Sequence, residues 1–256
     1  MSTSVAVTGA TGRLGTLVCQ VIEEHPEFAL AARLTSQSDP ASGSGADILV
    51  DVSHPDASPA IVERAVRAGQ KVVVGTSGWS AERIAGLEEL VAETPGAGVI
   101  VVPNFSLGSV LGTALARIAA PFFDSIEIVE THHPRKVDSP SGTAVRTAEI
   151  MAEARGGKPA DAPFAEQEAR GQLVAGIPVH SLRLAGVSAK QEVHLGGPGE
   201  TLTLTHNTSS NEAYRAGIVA ALTAVRDASG VTVGLDSVLG LDGLGSGAGS
   251  GSGAGE

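Results

Sequence analysis

The sequence predicts an α/β protein in which a Rossmann-type, parallel-sheet domain is followed by an α+β domain with a mostly antiparallel sheet. Short β-branched runs alternate with helical periods over residues 4 to 104, which is typical of a parallel sheet covered by helices. A glycine turn follows the first run directly. From Val179 onward, apolar and polar side chains alternate within short runs, as in antiparallel strands.

The first region contains five predicted strands and three predicted helices. The strands are Val5–Val7, a segment near Leu30–Ala31, Ile48–Val50, Lys71–Val74 and Val99–Val102, and the helices are 13–25, 57–68 and 80–92. This strand–helix alternation predicts βαβ units.

The second region is organised differently. It comprises helix 107–120, strand Ile126–Glu130, helix 142–155, a Pro/Gly-rich polar loop over 156–176, and the runs Ser181–Leu184, Gln191–Leu195 and Thr201–His206. We expect these three runs to form an antiparallel meander. A last helix at 212–226 precedes a strand at Val231–Val233, and the pattern leaves open whether that strand returns to the first sheet.

We therefore expect a discontinuous dinucleotide-binding domain, a substrate-binding and oligomerisation domain, and a flexible Gly/Ser tail. Their boundaries are 1–105 with 215–240, 106–214, and 241–256.

Composition excludes several partners. The chain carries 28 acidic and 17 basic residues, a formal charge of −11, and no cluster of Lys and Arg, so we expect no binding to nucleic acid. We expect no membrane segment, because no apolar run approaches the roughly 20 residues that a membrane span needs. The N-terminal residues lack the pattern of a secretory signal. A single cysteine, Cys19, fits a reducing cytoplasm.

The glycine turn is the first candidate site. Residues Gly9-Ala10-Thr11-Gly12-Arg13-Leu14-Gly15 follow the first strand and open the first helix, where backbone N–H groups can approach a pyrophosphate. The spacing is GxxGxxG rather than GxGxxG, so a plain tight turn is the alternative. We place cofactor contacts at Gly9, Ala10, Thr11, Gly12, Arg13 and Leu14.

Cofactor choice depends on the end of the second strand. An acidic residue there often binds the ribose hydroxyl of NADH, whereas this segment offers Arg33 and several hydroxyls. We therefore expect NADPH to be accepted at least as well as NADH, unless Arg33 points into solvent.

Loops after later strands supply the remaining predicted cofactor contacts, because the carboxyl ends of parallel strands line the ligand crevice. These contacts are Gly75, Thr76, Ser77, Val102, Pro103, Asn104 and Phe105. Each of these loops is also compatible with ordinary turn chemistry.

A dense polar cluster between Thr131 and Thr143 is the second candidate site. It combines His132, His133 and Lys136, one of only four lysines, with the turn Ser141-Gly142-Thr143 at a predicted helix start. Such a start binds anions, so acid, cation and anion site together indicate chemistry on a small carboxylated molecule. A zinc site formed by the two histidines with Asp138, His194 or His206 is less favoured, because adjacent residues on a strand face opposite sides.

Together these motifs closely resemble the dihydrodipicolinate reductase family of lysine biosynthesis, up to about residue 236. The element His132-His133-Pro134-Arg135-Lys136-Val137-Asp138-Ser139-Pro140-Ser141-Gly142-Thr143 carries the resemblance, and the segment Ile177–Gly186 is similar to actinobacterial members. Val52, Ser53 and Ser77 depart from the usual family residues but keep the hydroxyls.

The resemblance implies an NADH- or NADPH-dependent reductase of a small dicarboxylate, assembled as a homotetramer through its second sheet. It implies that His132 is an acid/base, that Lys136 donates a proton, and that His133 with the Ser141-Gly142-Thr143 turn binds substrate. Two alternatives from other classes are a dinucleotide-binding sensor without turnover and an epimerase. A Tyr-x-x-x-Lys pair is absent, since Tyr214 has Ile218 four positions on, which disfavours the epimerase.

Overall fold

The computed structural model describes residues 2–241, and the predicted tail at 242–256 lies outside the described residues. The chain forms two compact units. Within the described residues, unit 1 contains 2–107 and Asn211–Leu239, and unit 2 contains Gly108–Ser210 with 240–241.

Unit 1 is a six-stranded, fully parallel sheet with helices. Its elements are β1 (Thr3–Thr8), α1 (Arg13–Glu24), β2 (Phe28–Leu34), β3 (Ile48–Asp51), α2 (Ser58–Arg67), β4 (Lys71–Val74), α3 (Ala81–Ala92), β5 (Gly98–Val101), α6 (Arg215–Val225) and β11 (Gly230–Val233). The strand order is β11-β5-β4-β3-β1-β2. The last strand does return to the first sheet, since β11 pairs in parallel with β5.

Central strands of this sheet are apolar except at their ends, as in Asp51 of β3, because helices cover the sheet. All four residues of β3 and of β5 are buried, and Val62, Val66, Leu87 and Val91 from α2 and α3 pack against this sheet in one apolar cluster. Cys19, on α1, is a buried free thiol. The alternating strand and helix pattern read from the sequence is thereby confirmed.

Unit 2 contains a five-stranded mixed sheet and two helices. Its elements are α4, which begins at the unit boundary (Leu107–Ala119), β6 (Ser125–His132), α5 (Gly142–Ala154), β7 (Gln172–Val174), β8 (Ile177–Arg183), β9 (Ala189–Gly197) and β10 (Glu200–Thr208). The strand order is β10-β9-β6-β8-β7. Ile126 and Ile128 of β6 pack with Ala144, Ala148 and Met151 of α5 in one apolar cluster.

The predicted antiparallel meander is wrong in one respect. Strands β9 and β10 form an antiparallel hairpin, but β8 is not the neighbour of β9; it lies on the other side of β6 and runs parallel to it. The connection from β6 to β8 passes through α5 and then strand β7, a crossover long enough to return β8 in the same direction as β6. The predicted loop at 156–176 also contains a short 3₁₀ helix at Glu168–Arg170 and strand β7.

None of the helices within residues 2–241 has the length and apolar character that crossing a membrane requires.

Candidate active site

The glycine turn between β1 and α1 has the geometry of a close backbone approach. Gly9 has a φ of 74°, and a Cβ there would lie 2.3 Å from the carbonyl oxygen of Val52. A Cβ on Gly15 would lie 2.1 Å from the Gly9 carbonyl oxygen, so α1 packs directly on the turn. A Cβ on Gly12 would lie 3.3 Å from the same Gly9 oxygen. The outer glycines thus fix the turn. The middle one donates its N–H to the Gly9 carbonyl at 3.0 Å, and the space beside its Cα is open.

A cavity of about 460 Å³ opens beside this turn, entirely within unit 1. It is lined by the turn, by the segment after β2, by the loop after β3 and by one side of α2. The lining residues include Thr8, Gly9, Thr11, Gly12, Leu34, Thr35, Ser36, Ser38, Asp39, Val52, Ser53, His54, Ala57, Ile61 and Arg64. This place, at the carboxyl ends of β1, β2 and β3, is where doubly wound folds bind nucleotides.

Two charged side chains that the sequence analysis did not assign, Asp39 and Arg64, line this cavity. Asp39 accepts a hydrogen bond from the N–H of Ala41 through Oδ1, at 2.9 Å. Arg33 is not among the lining residues; its guanidinium lies 2.7 Å from Glu23 on α1, and both side chains are exposed. The pKa of Arg33 is raised by a hydrogen bond with Cys19 and by the charge of Glu23.

The remaining predicted cofactor loops follow β4 and β5. A Cβ on Gly75 would meet the Phe105 ring at 2.6 Å, so these two loops pack against each other. The Val102 N–H donates to the Val74 carbonyl, and Asn104 Oδ1 accepts from the Ser106 N–H at 2.9 Å. Ala10 is buried, whereas Arg13, Ser77 and Pro103 are exposed and Leu14 is half-buried.

Beneath these loops lies Asp51, the completely buried last residue of β3. Its carboxylate accepts hydrogen bonds from hydroxyl groups of three segments. The donors are Thr8 Oγ1 (2.8 Å), Ser53 Oγ (2.5 Å), Ser58 Oγ and Thr76 Oγ1 (2.9 Å). Asp51 thereby ties the end of β1 and the start of α2 to the loop after β4, which carries the predicted cofactor contacts Gly75, Thr76 and Ser77.

In unit 2, strand β6 ends in the polar cluster. Residues Ile126, Ile128, Glu130 and His132 are two positions apart and therefore share one face of the sheet. Glu130 is completely buried, and its Oε2 lies 2.5 Å from Nδ1 of His132. Arg183 of β8 donates to both carboxylate oxygens of Glu130, at 3.0 Å each.

These contacts set the electrostatics of the pair. Burial acts to raise the pKa of Glu130, but hydrogen bonds from Arg183 and His132 outweigh it, and the net pKa is lowered. The pKa of His132 is also lowered, because burial, with the charges of Lys136 and Arg183, outweighs the opposing effect of Glu130. Both shifts favour an ionised Glu130 beside a neutral His132.

Lys136 lies in the loop after β6, with its ammonium 2.8 Å from both carboxylate oxygens of Asp138. Lys136 is mostly buried, with 19% of its side chain exposed, whereas Asp138 is 54% exposed. The pKa of Asp138 is lowered by this hydrogen bond from Lys136. An acidic ammonium is therefore present on the same loop as the histidines.

Helix α5 begins at the predicted anion site. Ser141 is its N-cap and accepts a hydrogen bond from the Ala144 N–H, which leaves the first-turn N–H groups of Gly142 and Thr143 without an intrahelical partner. A Cβ on Gly142 would meet nothing within 4 Å, so the helix start is open. Within the described residues, His133 Nδ1 is buried and has no hydrogen-bond partner.

Within residues 2–241, no group of three His, Cys, Asp or Glu side chains is placed to hold a metal ion, so the zinc alternative has no support there.

The predicted site residues thus fall into two sets, one in each unit. Sequence reasoning missed Glu130 and Arg183, although a carboxylate on a strand face shared with Ile126 and Ile128 signals a buried pair. It also assigned no role to Asp51, whose partners Thr8 and Thr76 are distant in sequence.

A parallel sheet with a glycine turn and an adjacent cavity, together with a unit that carries acid, cation and anion site, defines the class of dinucleotide-dependent oxidoreductases. Profiles of the dihydrodipicolinate reductase N-terminus and C-terminus match residues 3–105 and 108–239. The chain belongs to the dihydrodipicolinate reductase family, whose members are NAD(P)H-dependent oxidoreductases.

Relatives named 4-hydroxy-tetrahydrodipicolinate reductase include those of Clavibacter michiganensis subsp. michiganensis and Cutibacterium acnes. The first is 56% identical and covers 95% of this chain and 88% of the relative; the second is 44% identical and covers 93% and 99%. These results confirm the predicted family and its actinobacterial character.

A solved structure of dipicolinate-bound dihydrodipicolinate reductase from Paenisporosarcina sp. TG-14 is 28% identical, with a TM-score of 0.80 over 93% of this chain and 99% of that one. The scyllo-inositol dehydrogenase of Lactobacillus casei, 12% identical, has a TM-score of 0.60 over 94% and 93%, a likeness of fold alone. The fold class predicted from the sequence is confirmed, and family membership does not favour the sensor or epimerase alternatives.

Proposed function

We propose that this protein reduces 4-hydroxy-tetrahydrodipicolinate to tetrahydrodipicolinate with NADH or NADPH, within diaminopimelate and lysine biosynthesis. The observation that carries the proposal is the set formed by His132, Lys136 and the Gly142–Thr143 helix start, in a chain that belongs to the reductase family throughout. Unit 1 binds the cofactor, and unit 2 binds the substrate and supplies the proton.

The residues of unit 1 fit a dinucleotide. The turn at Gly9–Gly15 leaves its middle glycine open, which suits a pyrophosphate bound at the N-terminus of α1. The adjoining cavity of about 460 Å³ has room for the adenosine half, and the loops at Gly75–Ser77 and Val102–Phe105 contact the nicotinamide half. When bound, the nicotinamide supplies a hydride.

The residues of unit 2 fit a dicarboxylate. One substrate carboxylate accepts hydrogen bonds from the N–H groups of Gly142 and Thr143, where the helix dipole adds on the order of 0.3 to 1 kcal/mol. Ser141 holds this helix start in place through its own cap. His133 donates to the substrate through Nδ1, which is buried and otherwise lacks a partner among the described residues.

The overall reaction adds one hydride and one proton to the substrate and releases its hydroxyl as water. Hydride added to one carbon of the cyclic imine would build electron density that a neighbouring acid must quench. Lys136 donates this proton, and His132 acts as an acid/base in the same site. Asp138 accepts two hydrogen bonds from the Lys136 ammonium and holds it in place in this loop.

We propose that the enzyme works in the cytoplasm as a homotetramer joined through the sheet of unit 2. Strands β7, β8 and β10 carry exposed Leu173, Leu182 and Leu202, and Leu184 follows β8, which supports burial against other copies. The domain boundaries proposed above, with a dinucleotide-binding domain and a substrate-binding domain, follow from the same division of roles.

The test is an absorbance assay that follows the loss of reduced cofactor with the condensation product of pyruvate and aspartate semialdehyde. We expect consumption of NADH, NADPH or both that depends on this substrate. Cofactor binding without consumption would contradict the proposal and favour a sensor.

A further inference from the structure

Glu130 has no direct part in the proposed reaction, yet it is the most buried charged side chain of the unit 2 site. Its side chain has no exposed surface, and it shares the face of β6 that packs against helix α5. A carboxylate in such a place destabilises a fold unless it is paired and hydrogen-bonded. The groups that pair with Glu130 must therefore account for its complete burial.

The partners come from three segments. His132 approaches from the same strand at 2.5 Å, and Arg183 donates two hydrogen bonds from β8. The backbone N–H of Ser141, the N-cap of α5, donates at 3.2 Å. One carboxylate therefore contacts the acid/base, the neighbouring strand and the beginning of the anion-binding helix.

We propose that Glu130 is the positioning residue of this site, which holds the His132 ring by Nδ1 and fixes the helix start through Ser141. This inference rests on the proposed function. Because Nδ1 carries the hydrogen that Glu130 accepts, Nε2 is left as the atom that exchanges a proton with the substrate. A ring held in this way has one tautomer and one orientation.

Arg183 completes the arrangement. Its two parallel hydrogen bonds fix both oxygens of Glu130, and its Nη2 also donates to the Asp138 carbonyl at 2.7 Å. This contact joins the loop that carries Lys136 to the Arg183 guanidinium. The proton donor, the acid/base and the anion site are thus all connected through the Glu130–Arg183 pair.

The charged groups that face His132 are Glu130 on its own strand, Arg183 on β8 and Lys136 on the following loop. Glu130 raises the pKa of His132, while the two cations and burial lower it. Removal of the Glu130 charge therefore lowers the pKa of His132 further.

The experiment compares Glu130→Gln with the wild type, using NMR titration of His132 without any ligand and steady-state kinetics. We expect the His132 pKa to fall, kcat to fall about 10²-fold because the ring is misplaced, and KM to change by less than kcat. The limb of the pH–rate profile that belongs to His132 should move to lower pH by the same amount.

Glu127→Gln is the matched control. Glu127 lies on the same strand and also pairs with one histidine and one arginine, His180 at 2.7 Å and Arg170 at 2.5 Å. Its loss removes an equivalent ion pair away from the site, so the His132 titration and kcat should stay at wild-type values.

An unchanged His132 pKa together with kcat within about threefold of wild type would overturn the proposal. If Glu130→Gln fails to fold, the ¹⁵N shifts of wild-type His132 still decide, since a neutral ring protonated at Nε2 overturns it and one protonated at Nδ1 supports it. The titration uses the protein alone. A failure of the reductase assay therefore leaves this test intact.

Discussion

Asp51 in unit 1 and Glu130 in unit 2 are both completely buried carboxylates, but they are satisfied by different kinds of donor. Asp51 accepts hydrogen bonds from uncharged serine and threonine hydroxyls, whereas Glu130 is paired with Arg183 and His132. The difference agrees with the roles proposed for the two units. Under that proposal, unit 1 needs only a fixed backbone around a cofactor that brings its own reactive group, whereas unit 2 holds and moves protons with its own side chains.

The largest difference should lie in stability. We expect Glu130→Gln to lower the free energy of unfolding by roughly 3 to 5 kcal/mol, because it leaves the Arg183 charge without its partner. Asp51→Asn removes an acceptor whose donors are hydroxyl groups and the Ser53 N–H, all uncharged, and should cost about 1 to 3 kcal/mol. Denaturant unfolding at neutral pH measures both.

The pH dependence provides the check. Because the pKa of Glu130 is lowered by folding, its stabilisation is present above the unfolded-state value of about 4.3 and is lost as pH falls through the folded-state pKa. The difference in free energy of unfolding between wild type and Glu130→Gln should therefore become smaller in acid. A difference that becomes larger in acid would contradict this account of Glu130. Equal losses of unfolding free energy in Glu130→Gln and Asp51→Asn would contradict the distinction between a charge-paired and a hydroxyl-bonded carboxylate.

The next effect concerns proton donation. Lys136→Ala should lower kcat by on the order of 10²-fold or more, the range for a positioned proton donor, with little change in cofactor Kd. Lys158→Ala is the control, since Lys158 pairs with Asp124 at 3.2 Å elsewhere in unit 2. Unchanged turnover in Lys136→Ala would exclude this lysine from the reaction.

A backbone change in the glycine turn of unit 1 should instead weaken cofactor binding. Gly9→Ala should weaken cofactor binding on the order of tenfold, about 1.4 kcal/mol, because its Cβ would collide with Val52. Gly69→Ala carries the same cost of a positive φ but meets nothing within 4 Å. Calorimetry should show normal cofactor affinity in the Gly69 variant. Equal losses in both variants would show that the turn has no special role.

The smallest effect concerns cofactor choice. We expect kcat/KM for NADPH at least equal to that for NADH, and a loss of NADPH preference of no more than about fivefold in Arg33→Ala or Arg64→Ala, because both cations are exposed. Arg67→Ala, whose guanidinium pairs with Glu63, is the control. A strong preference for NADH, consistent with Asp39 on the cavity wall, would contradict this expectation.

How far the sequence predicts the molecule also differs between the two regions. The parallel sheet was predictable because βαβ periodicity and the glycine turn are local signals, and each predicted strand there is confirmed. The pairing of β8 with β6 could not be predicted. Alternation of apolar and polar residues shows that one face of a strand is buried, but it does not show which strand is its neighbour.

The same limit applies to the site. His132, Lys136 and the Ser141–Thr143 turn lie within one short segment and were predicted from it. Glu130 meets Arg183 across 53 positions of sequence, and Arg64 lines the cavity only because α2 folds beside it. Contacts of this kind depend on tertiary structure. Only the pattern of buried residues in β6 indicated the contact between Glu130 and Arg183.

The most direct measurement of the central claim is the transfer of deuterium to the product from NADPH or NADH in which both hydrogens at C4 are deuterium. We predict that mass spectrometry finds a single deuterium in tetrahydrodipicolinate, in proportion to the cofactor oxidised, and that Lys136→Ala slows its appearance without changing its position. Cofactor oxidation without deuterium in the product, or no oxidation in the presence of substrate, would contradict the account.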